Sequence, residues 1–70
     1  MMPLTMVEIG ESVIIKKISG RDDTKRFLKS LGFIVGSEVT IVSKFGQNFI
    51  INVKDTRVAL DQMMAKRIFV

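Results

Sequence analysis

In Asp22-Asp23-Thr24-Lys25-Arg26-Phe27-Leu28-Lys29-Ser30-Leu31-Gly32-Phe33-Ile34-Val35-Gly36 the hydrophobic period is helical, and nowhere else along the chain is it so clear. Thr24, Phe27, Leu28 and Leu31 fall at i, i+3, i+4 and i+7, which draws one apolar stripe on a helix from Asp22 to Leu31. Asp22 or Asp23 can cap its N-terminus, where a carboxylate also meets the positive end of the helix dipole. Gly32 stands where a left-handed residue would stop the helix. Lys25, Arg26 and Lys29 share the opposite, solvent-facing side. The connection that follows, Phe33-Ile34-Val35, is apolar, although a surface connection is ordinarily polar. Two placements fit it: Phe33 and Ile34 tuck under the fold as a plug, or the segment stays out as an apolar patch.

Outward from this stretch the period shortens to two. Upstream, Ser12 to Ser19 is rich in β-branched residues and bracketed by Gly10 and Gly20, so it reads as one strand, with Val13 and Ile15 on one face and Ile14, Lys16 and Ile18 on the other. Downstream, Glu38 to Ser43 alternates, with Val39 and Ile41 inward and Thr40 outward. Phe49 to Val53 does the same with Phe49, Ile51 and Val53. Lys44-Phe45-Gly46-Gln47-Asn48 is a hairpin loop between the two. Lys54-Asp55 makes a turn into a fourth strand, Thr56 to Leu60. Asp61 can cap a helical turn over Gln62 to Ala65, and Arg67 to Val70 is a fifth short strand. Short antiparallel strands joined by tight turns predict a mainly β fold, a closed or nearly closed barrel of about five strands with the helix over one opening.

Composition sets the scale. Seventy residues make a single domain spanning 1–70. Chains this small commonly need disulfides, a metal or a partner to supplement a thin core. There is no cysteine and no histidine, so neither a disulfide nor a standard zinc site is available. The apolar fraction is 47%, which leaves apolar surface over for a partner and also suits weak self-association. The longest apolar runs, such as Val13-Ile14-Ile15, are far short of the roughly 18 residues that span a bilayer. The start carries no basic stretch followed by an apolar run, as a signal peptide would. A cytoplasmic protein with no membrane insertion is expected.

Catalysis needs a nucleophile with a base, paired carboxylates in a cleft, or a metal. Asp22, Asp23 and Asp61 have roles as caps, and Glu38 and Asp55 sit beside turns, so no enzyme is expected. No phosphate-cradling glycine motif occurs, and no cofactor is expected. Met63-Met64 reads as core filler. The net charge is +4, with the bases spread along the chain. With Phe27 and Phe49 assigned to the core, only Phe45 and Phe33 remain for stacking on bases, a poor nucleic-acid platform.

The spacing of Pro3-Leu4-Thr5, Ile9-Gly10-Glu11, Phe27-Leu28-x-x-Leu31-Gly32, Phe33-x-x-Gly36-x-x-Val39 and Val58-Ala59-Leu60 through Ala65 resembles the FeoA family, small accessory proteins of bacterial ferrous-iron transport. The likeness covers nearly the whole chain. Family members often carry proline before the second glycine, where this chain has Val35, and the loop around Phe45-Gly46 is short beside many relatives. The resemblance implies an SH3-like barrel with a helix inserted after the first strand. It also implies a cytoplasmic protein whose partner is the cytoplasmic region of the membrane ferrous-iron transporter FeoB. It does not imply direct iron binding. The C-terminal domains of iron-dependent repressors are similar barrels, and a small nucleic-acid-binding barrel is a further alternative. Joined to the residue reading, it points to a docking surface made by Lys25, Arg26 and Lys29 beside Phe33, Ile34 and Val35, an apolar patch rimmed by charge.

Overall fold

A computed structural model describes all residues, Met1–Val70. The run expected as one strand over Ser12 to Ser19 is two. Strand β1 (Ser12–Ile14) pairs antiparallel with β3 (Glu38–Phe45), whereas β2 (Lys17–Ile18) pairs with β6 (Ile68–Phe69) in a second sheet. The exchange occurs between adjacent residues. Ile15 N–H donates to Ser37 O at 3.0 Å and Ile15 O accepts from Gly36 N–H at 2.8 Å, while Lys16 N–H donates to Phe69 O at 2.8 Å. One extended segment therefore serves both sheets and joins them into one fold.

The larger sheet has the order β1-β3-β4-β5, with β4 at Asn48–Val53 and β5 at Thr56–Asp61. Alternate residues face the core: Val39, Ile41, Phe49, Ile51, Val53 and Leu60 are buried. A register shift between Ile41 and Ser43 bends β3 against β4. The expected loop over Lys44 to Asn48 is tighter than its sequence suggests, because Phe45 still pairs with Asn48 and leaves only Gly46-Gln47 as the turn. Gly46 has φ 57°, the first-position conformation that a II′ hairpin turn demands. The second hairpin turns on Lys54 and Asp55, both left-handed at φ 51° and 61°, the I′ geometry that asparagine and glycine adopt more easily.

The first residues also join the fold, which no periodicity announced. A 3₁₀ turn at Leu4–Met6 buries Leu4 completely, and Val7 follows it into the core. Met2 and Val70 exchange backbone hydrogen bonds of 3.0 and 2.9 Å, so the two ends of the chain are tied together. Helix α2 (Gln62–Ala65) is capped as expected, Asp61 Oδ1 accepting from Met64 N–H at 2.9 Å. Met64 packs against the core, but Met63 points to solvent, contrary to its reading as filler. The core is wholly apolar, and no buried side-chain polar atom lacks a partner. With no buried polar side chain to satisfy, the packing between side chains relies on shape and area.

Candidate protein-docking site

Helix α1 (Asp22–Ser30) begins after Arg21, and its N-cap makes no side-chain hydrogen bond. Asp22 and Asp23 lie in the first turn instead of at the cap, and Asp23 Oδ1 accepts from the adjacent Thr24 N–H at 2.9 Å. The expected cap is thus absent, although both carboxylates still face the positive end of the dipole.

The other end is closed by backbone. Gly32 has φ 105°, Gly32 N–H donates to Lys29 O at 3.0 Å, and Phe33 N–H donates to Leu28 O at 3.0 Å. This paired arrangement is a Schellman motif, which normally carries an apolar contact between the residue after the glycine and the last turn. Both residues that would make it, Phe33 and Leu28, are fully buried. The motif reverses the chain and drives Phe33 into the core, so the plug placement holds for that residue. Phe27, expected inside, is 48% exposed. A helix this short reaches the core through one narrow line, Thr24, Leu28 and Leu31, and Phe27 lies off it.

After Phe33 the chain turns again. Ser37 N–H donates to Ile34 O at 2.9 Å, with Gly36 at φ 95°. That is a type II turn with Val35 at its second position and glycine at its third, where φ must be positive. Val35 is 59% exposed and Ile34 half-buried.

The two turns bring Ile18 of β2, Lys25 and Lys29 of α1, and Phe33, Ile34 and Val35 around one groove of about 280 Å³. Five of the residues expected at the docking surface therefore meet here, in altered roles. Phe33 is floor, not contact surface, being fully buried. Ile34 and Val35 form the apolar wall. Lys25 and Lys29, one helical turn apart, form the basic rim. Arg26 is exposed on the same helix but does not line the groove. Ile18 was missed as a site residue; its signal is an apolar residue held between Lys17 and Ser19 on the strand leading to the helix.

A second depression of similar volume, lined by Ser37, Glu38, Thr40, Asn52, Lys54 and Asp55, has no apolar wall. No group of three or more His, Cys, Asp or Glu side chains gathers anywhere as a metal site would require.

The family model for the FeoA domain matches residues 2–70. The chain belongs to the FeoA family. A relative from Methanocaldococcus jannaschii named for Fe(2+) transport is 31% identical over all of this chain and 85% of its own length. The FeoA of Stenotrophomonas maltophilia, a prokaryotic SH3 domain protein solved in complex with zinc, is 32% identical and superposes with a TM-score of 0.87 over 100% of this chain and 89% of its own. The SH3-like fold implied by the resemblance is therefore shown. A manganese-dependent transcriptional repressor shares that fold, at 20% identity and TM-score 0.89, over 39% of its length. No helix of this FeoA domain is long and apolar enough to cross a membrane. The Leu31-Gly32-Phe33-x-x-Gly36 pattern that marks the likeness has a physical meaning here: a helix stop, a buried plug and a type II turn that together shape the groove.

Proposed function

We propose that this FeoA domain is a cytoplasmic accessory protein of ferrous-iron transport, not an enzyme, and that it docks on the cytoplasmic region of a FeoB-type transporter through the groove between β2, α1 and the Ile34–Ser37 turn. The observation that carries the reading is the groove itself. An apolar floor and wall (Ile18, Phe33, Ile34, Val35) are flanked by two lysines on one helix face. Apolar side chains exposed beside charge make a small interface with a wet, selective rim. At about 280 Å³ the groove lies just below the usual range for small-molecule sites and suits one or two anchoring side chains. The lysines favour an acidic segment around that anchor.

An NMR titration of the labelled chain with the soluble cytoplasmic region of the transporter tests this. Saturable shifts at Ile18, Lys25, Lys29 and Ile34 to Gly36 are expected. Shifts confined to other surfaces, or none at millimolar partner, would overturn it.

A further inference from the structure

Strand β5 ends the four-stranded sheet, and one of its edges has no neighbour in the strand order. The direction of its backbone groups follows from the register. Val53 and Thr56 close the two-residue turn, so they form a hydrogen-bonded pair, and with alternation so do Ile51 with Val58 and Phe49 with Leu60. Gln62 N–H, donating to Gln47 O at 2.8 Å, continues the same series. The N–H and C=O groups of Arg57 and Ala59 consequently face away from β4. Natural edges are commonly guarded by proline, a bulge or charged side chains, lysine above all. The segment Thr56-Arg57-Val58-Ala59-Leu60-Asp61 has no proline, no lysine and no register break against β4, and its two charges, Arg57 and Asp61, are of opposite sign.

We propose that two copies of this chain associate through their β5 edges, antiparallel about a twofold axis at Ala59, to make one continuous eight-stranded sheet. The occupant is a second copy because the edge is complementary to itself. Arg57 and Asp61 lie equally far on either side of Ala59, so a twofold axis there sets Arg57 opposite the partner subunit's Asp61, and the reverse. The outward-facing groups put Ala59 opposite its own copy as a hydrogen-bonded pair, where a small side chain permits close approach. Arg57, Ala59 and Asp61 are all exposed and, at a spacing of two, share one face of the sheet. Asp61 uses Oδ1 on Met64 N–H, which leaves Oδ2 for the arginine across the axis. This surface lies on the four-stranded sheet and is independent of the groove at β2 and α1.

Sedimentation equilibrium into the millimolar range, combined with amide exchange, tests the pairing. The expected result is a mass that rises to twice that of the monomer and stops. The Ala59 amide should become protected as concentration rises, whereas the Val58 and Leu60 amides, bonded to β4, should be protected at all concentrations. Arg57→Asp places like charges across the axis and should weaken association by about tenfold. Ala59→Pro removes an N–H that the ladder with β4 does not use and should abolish it; the far-ultraviolet circular dichroism of each variant reports that the barrel is kept. A monomer throughout, growth beyond the dimer, exchange at Ala59 independent of concentration, or association unchanged in a folded Arg57→Asp would each overturn the proposal.

Discussion

Phe33 N–H donates to Leu28 O at 3.0 Å, and that bond joins the end of the helix to the floor of the groove. It requires Gly32 to be left-handed, at φ 105°. A side chain in that conformation costs about 1–2 kcal/mol. A Cβ at Gly32 would find Val53 Cγ2 at 3.5 Å, an ordinary contact, so the cost is backbone strain and not collision. Gly32→Ala should lower unfolding free energy by that amount in urea denaturation.

The opposite placements of the two phenylalanines, Phe33 fully buried and Phe27 48% exposed, give a sharper contrast. Phe33→Ala should cost about 3–5 kcal/mol, the range for emptying a core site. A single core in so small a chain supplies only about 3–5 kcal/mol in total. The variant should therefore be largely unfolded at room temperature by circular dichroism, while Phe27→Ala keeps a cooperative transition near that of the parent.

Asp61 and Asp23 are both acidic residues at a helix start, but Asp61 accepts from Met64 N–H three residues on, as an N-cap does, whereas Asp23 accepts only from the adjacent Thr24 N–H. Asp61→Ala should destabilise by about 1 kcal/mol, the worth of an N-cap. Asp23→Ala loses no cap, and its effect should be the smaller, salt-dependent one of a charge near the dipole. Denaturation at low and high salt separates the two.

Val35 occupies the second position of a type II turn, and its N–H makes no backbone hydrogen bond. Proline is favoured at that position because its ring fixes the required φ. Val35→Pro should raise stability by about 0.4–1 kcal/mol through the unfolded chain. The same logic applies to Lys54-Asp55, where both residues are left-handed. Replacing the pair by Asn-Gly should raise the thermal midpoint, read by scanning calorimetry.

These positions also show what the sequence could and could not reveal. Strands β3 and β4 bury alternate residues of one face, so period two located Val39, Ile41, Phe49, Ile51 and Val53. Gly32 and Asp61 were legible because their chemistry is local. The exchange of sheets between Ile15 and Lys16 was not, since it is decided by which distant backbone, Ser37 or Phe69, lies alongside. Leu4 and Val7 were invisible for the same reason: an irregular segment is buried by what packs over it and has no period of its own. At the site, helical spacing placed Lys25 and Lys29 together, and the apolar connection marked Ile34 and Val35. Phe33 was left open between two placements until the Schellman bond to Leu28 settled it. Arg26, one residue on from Lys25, is turned about 100° around the helix and misses the groove.

Val35 offers the most direct test of the docking account, because it is 59% exposed and can be changed without touching the core. The measurement is the calorimetric affinity of the transporter's cytoplasmic region for the native chain and for Val35→Asp. Removing an apolar wall residue and adding an acidic charge where an acidic partner segment sits should weaken binding by about tenfold or more. An unchanged affinity, with Val35→Asp still folded, would contradict the assignment of this groove as the docking site.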